Sequence, residues 1–203
     1  MNSILETLYE TYYETKGRLE DASYTSSHWR QESQHLLVGR DRDGEIVPSS
    51  TVYWGCRWNS RLGQGFDAAH KLVHVPGLTH KRRISKLSRR ASKICRRMEL
   101  DPTYNVFRQV CTVELLERYV RRSAPDYRLN ILVIGDGAGV LSSLLKDVYP
   151  TSSITMVDIG KSLLFQAYHC QKAYPDKVHA LAGEDLGTSQ TDFIYCPTET
   201  LNA

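Results

Sequence analysis

Residues 130–158, NILVIGDGAGVLSSLLKDVYPTSSITMVD, decide the fold of this chain. An apolar run at residues 131–134 leads into a glycine-rich turn at residues 135–139. Apolar side chains then recur at three- and four-residue spacing over residues 140–148, and a second run of β-branched character ends at Asp158. Strand, glycine turn, helix, strand and acid, in that order, predict a βαβ unit with two parallel strands.

Each part of this unit suits a nucleotide-like ligand. Glycines let the backbone adopt positive φ and approach a ligand closely, and the first turn of a helix offers unpaired N–H groups. A carboxylate at the end of the second strand, here Asp158, can accept hydrogen bonds from two ribose hydroxyls. The spacing is G-x-G-x-G, and Val140 stands where the dinucleotide pattern G-x-G-x-x-G has its third glycine. An NAD-linked oxidoreductase is therefore disfavoured.

The glycine pattern, with an acid after the second strand, resembles motif I of the class I S-adenosylmethionine-dependent methyltransferases. That resemblance implies an α/β, Rossmann-like fold with a partial parallel sheet of about four strands and an α-helical N-terminal extension. It also implies S-adenosyl-L-methionine as cofactor. The methionine end of the cofactor would lie over the glycine turn. Its ribose would bind the acid that follows the second strand, and its adenine would lie near the acids that follow the third strand. The implied cofactor-binding residues are Gly135, Asp136, Gly137, Ala138, Gly139, Asp158, Ile159, Glu184 and Asp185.

Two segments narrow the resemblance. VIGDGAGVLSSLL followed by VDIGKSLLFQAYHCQKAYP is similar to the sugar O-methyltransferase family. Residues 105–108 and 27–29 add short matches to the same family. The resemblance implies methylation of a sugar or another small hydroxyl acceptor. An alternative is a non-catalytic RNA- or phosphate-binding module built on a degenerate methyltransferase fold.

The chain departs from the family in three ways. Val133 stands where many methyltransferases have an acid that meets the cofactor's amino group. The family strand order 3-2-1-4 requires the short connection between predicted strands at residues 178–182 and 192–196 to cross three strand spacings, which excludes a helix there. Strands five to seven are expected to be missing, so the chain is expected to be truncated.

No catalytic residue is assigned from the sequence. Methyl transfer to a hydroxyl requires a base, and the candidates are Glu199, His28 and His169. A metal site is not expected. His70, His74 and His80 invite one, but no Cys, Asp or Glu stands at a ligand-like spacing beside them.

Composition indicates a globular protein with reduced thiols. The chain has 203 residues, a net charge of +3 and 41% hydrophobic residues, which are ordinary values. The apolar runs are too short for a membrane span. Five scattered cysteines without C-x-x-C pairs are typical of a cytoplasmic protein. The oligomeric state is left open.

A domain boundary is predicted near residue 125, between a mainly helical region (1–125) and the cofactor-binding domain (126–203). In the first region, Ser3 and Glu6 form a predicted capping box at the start of a helix that runs to Gly17. Asp43 and Gly44 predict a small hairpin. A further helix is predicted to start at Asp101, with Pro102 at its first position, and to end near residue 122.

The segment at residues 81–98 is predicted to be a basic amphipathic helix. About half of its residues are Lys or Arg and none of residues 81–97 is acidic, while Ile84, Leu87, Ala91, Ile94 and Met98 recur at helical spacing. Its basic face has three interpretations: a solvated surface of a packed helix, a binding surface for the phosphates of a nucleic acid, a nucleotide sugar or a lipid headgroup, or a docking face for an acidic partner such as the first helix.

Overall fold

The structure, a computed structural model, describes residues 3–14, 36–48, 78–123, 128–184 and 191–198. Several sequence predictions concern residues outside these ranges: the upstream family match at 27–29, the candidate bases His28 and Glu199, the metal candidates His70 and His74, and the adenine-side Asp185. The elements, in chain order, are α1 (Ser3–Tyr9) with a π-helical continuation (Glu10–Glu14), β1 (Val38–Arg40), β2 (Ile46–Pro48), α2 (Leu78–Arg97), α3 (Tyr104–Ser123), β3 (Asn130–Ile134), α4 (Val140–Val148), β4 (Ser153–Asp158), α5 (Gly160–Ala173), β5 (His179–Leu181) and β6 (Phe193–Pro197).

The predicted α/β architecture is confirmed. Four parallel strands form a sheet in the order β3-β4-β6-β5. The βαβ unit predicted from the sequence is β3, α4 and β4, and each boundary agrees within one residue. The predicted third and fourth strands are β5 and β6.

The strand order implied by the family resemblance is wrong for the described strands. In the order 3-2-1-4 the fourth strand lies beyond the glycine-turn strand, whereas β6 lies between β4 and β5. The chain between β5 and β6 comprises eleven residues, 182–192, and the two strands that it joins are direct neighbours in the sheet. As a consequence, β3 is an edge strand among the described strands.

The two faces of the sheet differ in how far helices cover them. The connections β3-α4-β4 and β4-α5-β5 advance in the same direction across the sheet, so right-handed crossovers place both helices on one face. Side chains on that face, such as Met156 and Tyr195, are fully buried. On the other face of the edge strand, Leu132 is 60% exposed and Ile134 is 73% exposed.

The basic helix is confirmed as α2. Its predicted apolar stripe is buried, with every one of the five predicted side chains no more than 5% exposed, and the helix packs against α3, α4 and α5. One hydrophobic core therefore contains residues from both predicted regions, 1–125 and 126–203.

In the first helix, the carboxylate of Glu6, the residue predicted to close a capping box, accepts two hydrogen bonds from the guanidinium of Arg40, at 2.9 and 2.8 Å. The helix packs against α5 and not against the basic helix, so it is not the acidic partner proposed for α2.

The helix α3 begins later than predicted, at Tyr104.

The small hairpin is confirmed. β1 and β2 pair antiparallel, with Arg40 opposite Ile46. Asp41 accepts the backbone N–H groups of Asp43 and Glu45 through one carboxylate oxygen, and Gly44 adopts a φ of 82°. The turn chemistry of Asp43 and Gly44 therefore corresponds to a real reversal of the chain.

A buried ion pair links α4 to the start of β6. The Lys146 ammonium is 1% exposed and contacts the carboxylate of Asp192 and the carbonyl oxygen of Ser152. Asp192 also accepts the backbone N–H of Val178, at 3.0 Å. Lys177 lies 3.8 Å from the same carboxylate but is 39% exposed.

No helix within the described ranges is long and apolar enough to cross a membrane. Cys95, Cys111, Cys170 and Cys196 carry free thiols. The described residues also contain no His, Cys, Asp or Glu group arranged to hold a metal ion.

Candidate functional site

The glycine turn contains three glycines with positive φ, and the first and the last of them have different surroundings. Gly135, Gly137 and Gly139 have φ values of 72°, 71° and 78°, a region that L-residues rarely adopt. A Cβ on Gly135 would meet nothing within 4 Å, whereas a Cβ on Gly139 would lie 2.7 Å from the sulfur of Cys170. Gly135 therefore faces open space, and Gly139 is needed for close packing of the turn on α5.

Asp136 occupies the amino end of α4. Its two carboxylate oxygens accept the backbone N–H groups of Leu141 and Ser142, at 3.0 and 2.7 Å. These N–H groups would otherwise be free to bind a phosphate. The turn therefore presents a carboxylate, and not a bare helix terminus, to an incoming ligand.

Burial raises the pKa of Asp136 to about 6, and the nearby charge of Asp158 acts in the same direction. The hydrogen bonds from the helix terminus oppose this shift. Asp136 therefore changes its charge within a pH range in which the fold of an ordinary protein persists.

A cavity of about 400 Å³ lies between the glycine turn and α3. This volume is in the range of about 300–1,000 Å³ that holds small organic ligands. The turn side contributes backbone and a carboxylate, and the α3 side contributes amide, hydroxyl and guanidinium groups. The lining residues are Asn105, Val106, Arg108, Gln109, Thr112, Gly135, Asp136, Ala138, Val140 and Leu141.

The α3 wall is only partly predictable from the sequence. Asn105 and Arg108 belong to the short family match at residues 105–108, but Gln109 and Thr112 were not predicted as site residues. The sequence does indicate a polar helix face, because polar residues at 105, 108, 109 and 112 repeat at helical spacing. That spacing does not indicate that this face lies opposite the glycine turn.

Asp158 lies at the carboxyl end of β4, as predicted, but it is 7% exposed. One of its carboxylate oxygens accepts the backbone N–H of Ile159 at 2.8 Å, and the other accepts the side-chain amide of Gln166 at 2.5 Å. The structure brings Asp158 near Asp136, although Asp158 does not line the cavity. Ile159 is half-buried and starts α5 as its N-cap residue.

Gly160, next to this acid turn, is covered by the first helical segment. A Cβ on Gly160 would lie 2.2 Å from the ring of Tyr12. The aromatic ring therefore requires a glycine here. Tyr12 therefore makes a packing contact beside the turn that follows β4.

Glu184 is exposed and folds back on its own strand. Its carboxylate accepts the backbone N–H of Leu181 at 2.8 Å. Because β6 lies between β4 and β5, Glu184 is three strand positions from the glycine turn, or about 14 Å at 4.8 Å per strand. In the family order it would be two positions away.

His169, a candidate base, does not line the cavity. It lies on α5 against the end of α2 and is 7% exposed. Burial lowers the pKa of His169 to about 4; Lys172 acts in the same direction, and a hydrogen bond to the backbone of Met98 and the charge of Glu99 act in the opposite one. The imidazole is a neutral core group.

This burial predicts acid sensitivity. A histidine with a depressed pKa stabilises the fold above its unfolded pKa of about 6.5, and that contribution is lost as pH falls toward the folded value. The loss from His169 between pH 7.5 and pH 5 is expected to be about 2 kcal/mol. Asp136, with its raised pKa, acts in the opposite direction over the same range, so the measure is the difference between two proteins: in urea unfolding, His169→Gln should lose about 2 kcal/mol less stability than the wild type between pH 7.5 and pH 5. An equal pH effect in both proteins would contradict this origin.

Compared with models of known protein families, with curated proteins and with solved structures, the chain has no significant match.

Proposed function

We propose that the protein binds S-adenosyl-L-methionine in the cavity beside the glycine turn and acts as a methyltransferase. The observation that carries the proposal is the carboxylate of Asp136, which occupies the N–H groups at the start of α4 and also lines the cavity. A ligand with phosphates at this position would meet a negative charge where a dinucleotide fold offers free N–H groups. A ligand with positive charge is favoured.

The residues of the cavity fit the methionine part of this cofactor. Asp136 on one wall can pair with an ammonium or sulfonium group, and Arg108 on the other can pair with a carboxylate. The amide groups of Asn105 and Gln109 and the hydroxyl of Thr112 add donors and acceptors for an amino-acid or ribose moiety. The pattern of an acid facing a guanidinium across one cavity suits a zwitterion better than a dianion.

The cofactor supplies an electrophilic methyl group, which an acceptor oxygen attacks in line. The protein's contribution is then to position both reactants and to give the acceptor's proton a base. The similarity of the turn and of α5 to sugar O-methyltransferases supports a sugar or another small hydroxyl compound as acceptor. A methyl group should therefore move from the cofactor to a hydroxyl, with S-adenosylhomocysteine as the other product.

Titration calorimetry with S-adenosylmethionine tests the proposal. Because the carboxylate form of Asp136 binds the cation, affinity should rise with pH across the pKa of about 6. The dissociation constant at pH 5 is expected to be about tenfold higher than at pH 7.5, since only about a tenth of the sites are then ionised.

Two matched variants test whether the pH dependence of binding comes from the Asp136 carboxylate. Asp136→Asn should weaken binding at pH 7.5 and remove the pH dependence, whereas Asp176→Asn, at an exposed turn position, should leave both unchanged. Absence of binding heat with the wild type, or heat with NAD and none with S-adenosylmethionine, would overturn the assignment.

A further inference from the structure

The exposed face of α2 carries one kind of charge. Every residue of α2 that is exposed between positions 81 and 97 is Lys, Arg or Ser. The apolar stripe on the opposite face is already buried in the core. Over residues 81–97 the helix therefore has no apolar surface left to insert into a lipid bilayer, which an amphipathic membrane helix requires.

Five cations form a straight line along this face. Arg82, Lys86, Arg89, Lys93 and Arg96 alternate at four- and three-residue spacing, so their side chains share one face of the helix. At 1.5 Å per residue they extend over about 21 Å, with one positive charge about every 5 Å. A repeat of this size is comparable with the few-ångström spacing of backbone phosphates in a nucleic acid.

These five cations are free of acidic partners among the residues that the structure describes. Arg89 and Arg96 donate only long hydrogen bonds to the backbone one turn earlier, at 3.5 and 3.4 Å. Their neighbour Arg90, by contrast, is held by the carboxylate and the carbonyl oxygen of Asp147. An ion pair within the protein therefore explains the presence of Arg90, but no such pair explains the five aligned cations.

Serines flank the line on one side. Ser85 is exposed, and Ser88 and Ser92 are half-buried. Short hydroxyl side chains beside Lys and Arg are typical donors to phosphate oxygens. The same face carries no exposed aromatic or large apolar side chain, which the centre of a protein interface normally has and which stacking on single-stranded bases requires.

We infer that this face of α2 binds the phosphate backbone of a nucleic acid duplex, without reading its sequence. The inference is independent of the proposed function, because it depends on α2 and not on the cavity. Each cation that replaces a condensed counterion contributes about −0.9 to the slope of log K against log salt for duplex DNA. Five contacts therefore predict a slope of about −4.5.

Fluorescence anisotropy of a labelled 20-base-pair DNA duplex, followed over about 50–200 mM potassium chloride, tests the inference on the full chain. Over that fourfold range the affinity should fall by a few hundredfold. Arg89→Gln with Lys93→Gln should bring the slope to about −2.7, because two contacts are lost. An RNA duplex of the same length should bind with a similar salt dependence.

The control has the same change in net charge elsewhere. Arg42 and Arg128 are exposed and lie off α2, so Arg42→Gln with Arg128→Gln should keep the wild-type slope. Circular dichroism verifies that both double variants are folded. Equal slopes for the two variants would reduce the effect to net charge and overturn the inference. Binding to phosphatidylserine vesicles but not to either duplex, or absence of duplex binding at about 50 mM salt, would also overturn it.

Discussion

Replacing Lys146 by methionine is expected to destabilise the protein by about 3–5 kcal/mol, because it removes the buried partner of an ion pair and leaves the Asp192 carboxylate with only the exposed Lys177 and the backbone N–H of Val178. Lys146 is 1% exposed, and the Asp192 side chain is 10% exposed. The substitution keeps the volume of the side chain, so lost packing contributes little. In a chain of this size the melting temperature should fall by about 10 °C. Thermal unfolding followed by circular dichroism measures it.

The same carboxylate provides the control. Lys177 lies 3.8 Å from Asp192 but is 39% exposed, and an exposed pair contributes at most about 1 kcal/mol. Lys177→Met should therefore change stability by less than a third of the Lys146→Met effect. Combining Lys146→Met with Asp192→Asn removes both charges and should recover part of the loss. Equal effects of the two lysine variants would contradict the role of burial.

The local parts of the fold were predictable from sequence because the signals are local. β3, α4 and β4 follow one another within residues 130–158, and their periodicity and turn chemistry determine them without reference to the rest of the chain. The basic helix and the hairpin were predictable for the same reason. In each case the pattern that forms the element is contained within the element.

The order of the strands was not predictable in this way. β6 could pair with β5 or with the free edge of β3. The sequence of residues 193–197 does not indicate which of these strands is its partner. The family resemblance implied the edge of β3, and the structure has β6 between β4 and β5. The short connection at residues 182–192 is a departure from the family that is visible in the sequence, and it agrees with the observed neighbour.

The candidate site shows the same division. The three glycines and Asp136 were predicted correctly as the turn, but the sequence did not reveal that Asp136 caps α4 or that α3 forms the opposite wall of the cavity. Lys146 is a further example, since a lysine on a nine-residue helix is expected to be solvated until its partner, forty-six positions later, is brought beside it. Non-local pairing decides whether such a charge is exposed or buried.

Gly139→Ala is the second substitution with a large expected effect. An alanine must adopt the left-handed φ of 78°, which costs about 1–2 kcal/mol. Its Cβ must also displace the sulfur of Cys170, 2.7 Å away, and crowd the carbonyl oxygen of Gln166 at 3.3 Å. Overpacking of a buried contact adds about 1–3 kcal/mol. The free energy of unfolding in urea should fall by about 3 kcal/mol in total.

Two comparisons divide this cost between backbone and packing. Gly44 has a similar φ of 82°, and a Cβ added there would meet nothing within 4 Å, so Gly44→Ala should cost only the backbone share of about 1 kcal/mol. In a Cys170→Ala background the sulfur is absent, and Gly139→Ala should then cost less than it does in the wild type. If Gly139→Ala and Gly44→Ala were equally costly, the close approach of the glycine turn to α5 would have no energetic weight. The third glycine would then have to be explained by its dihedral angle alone.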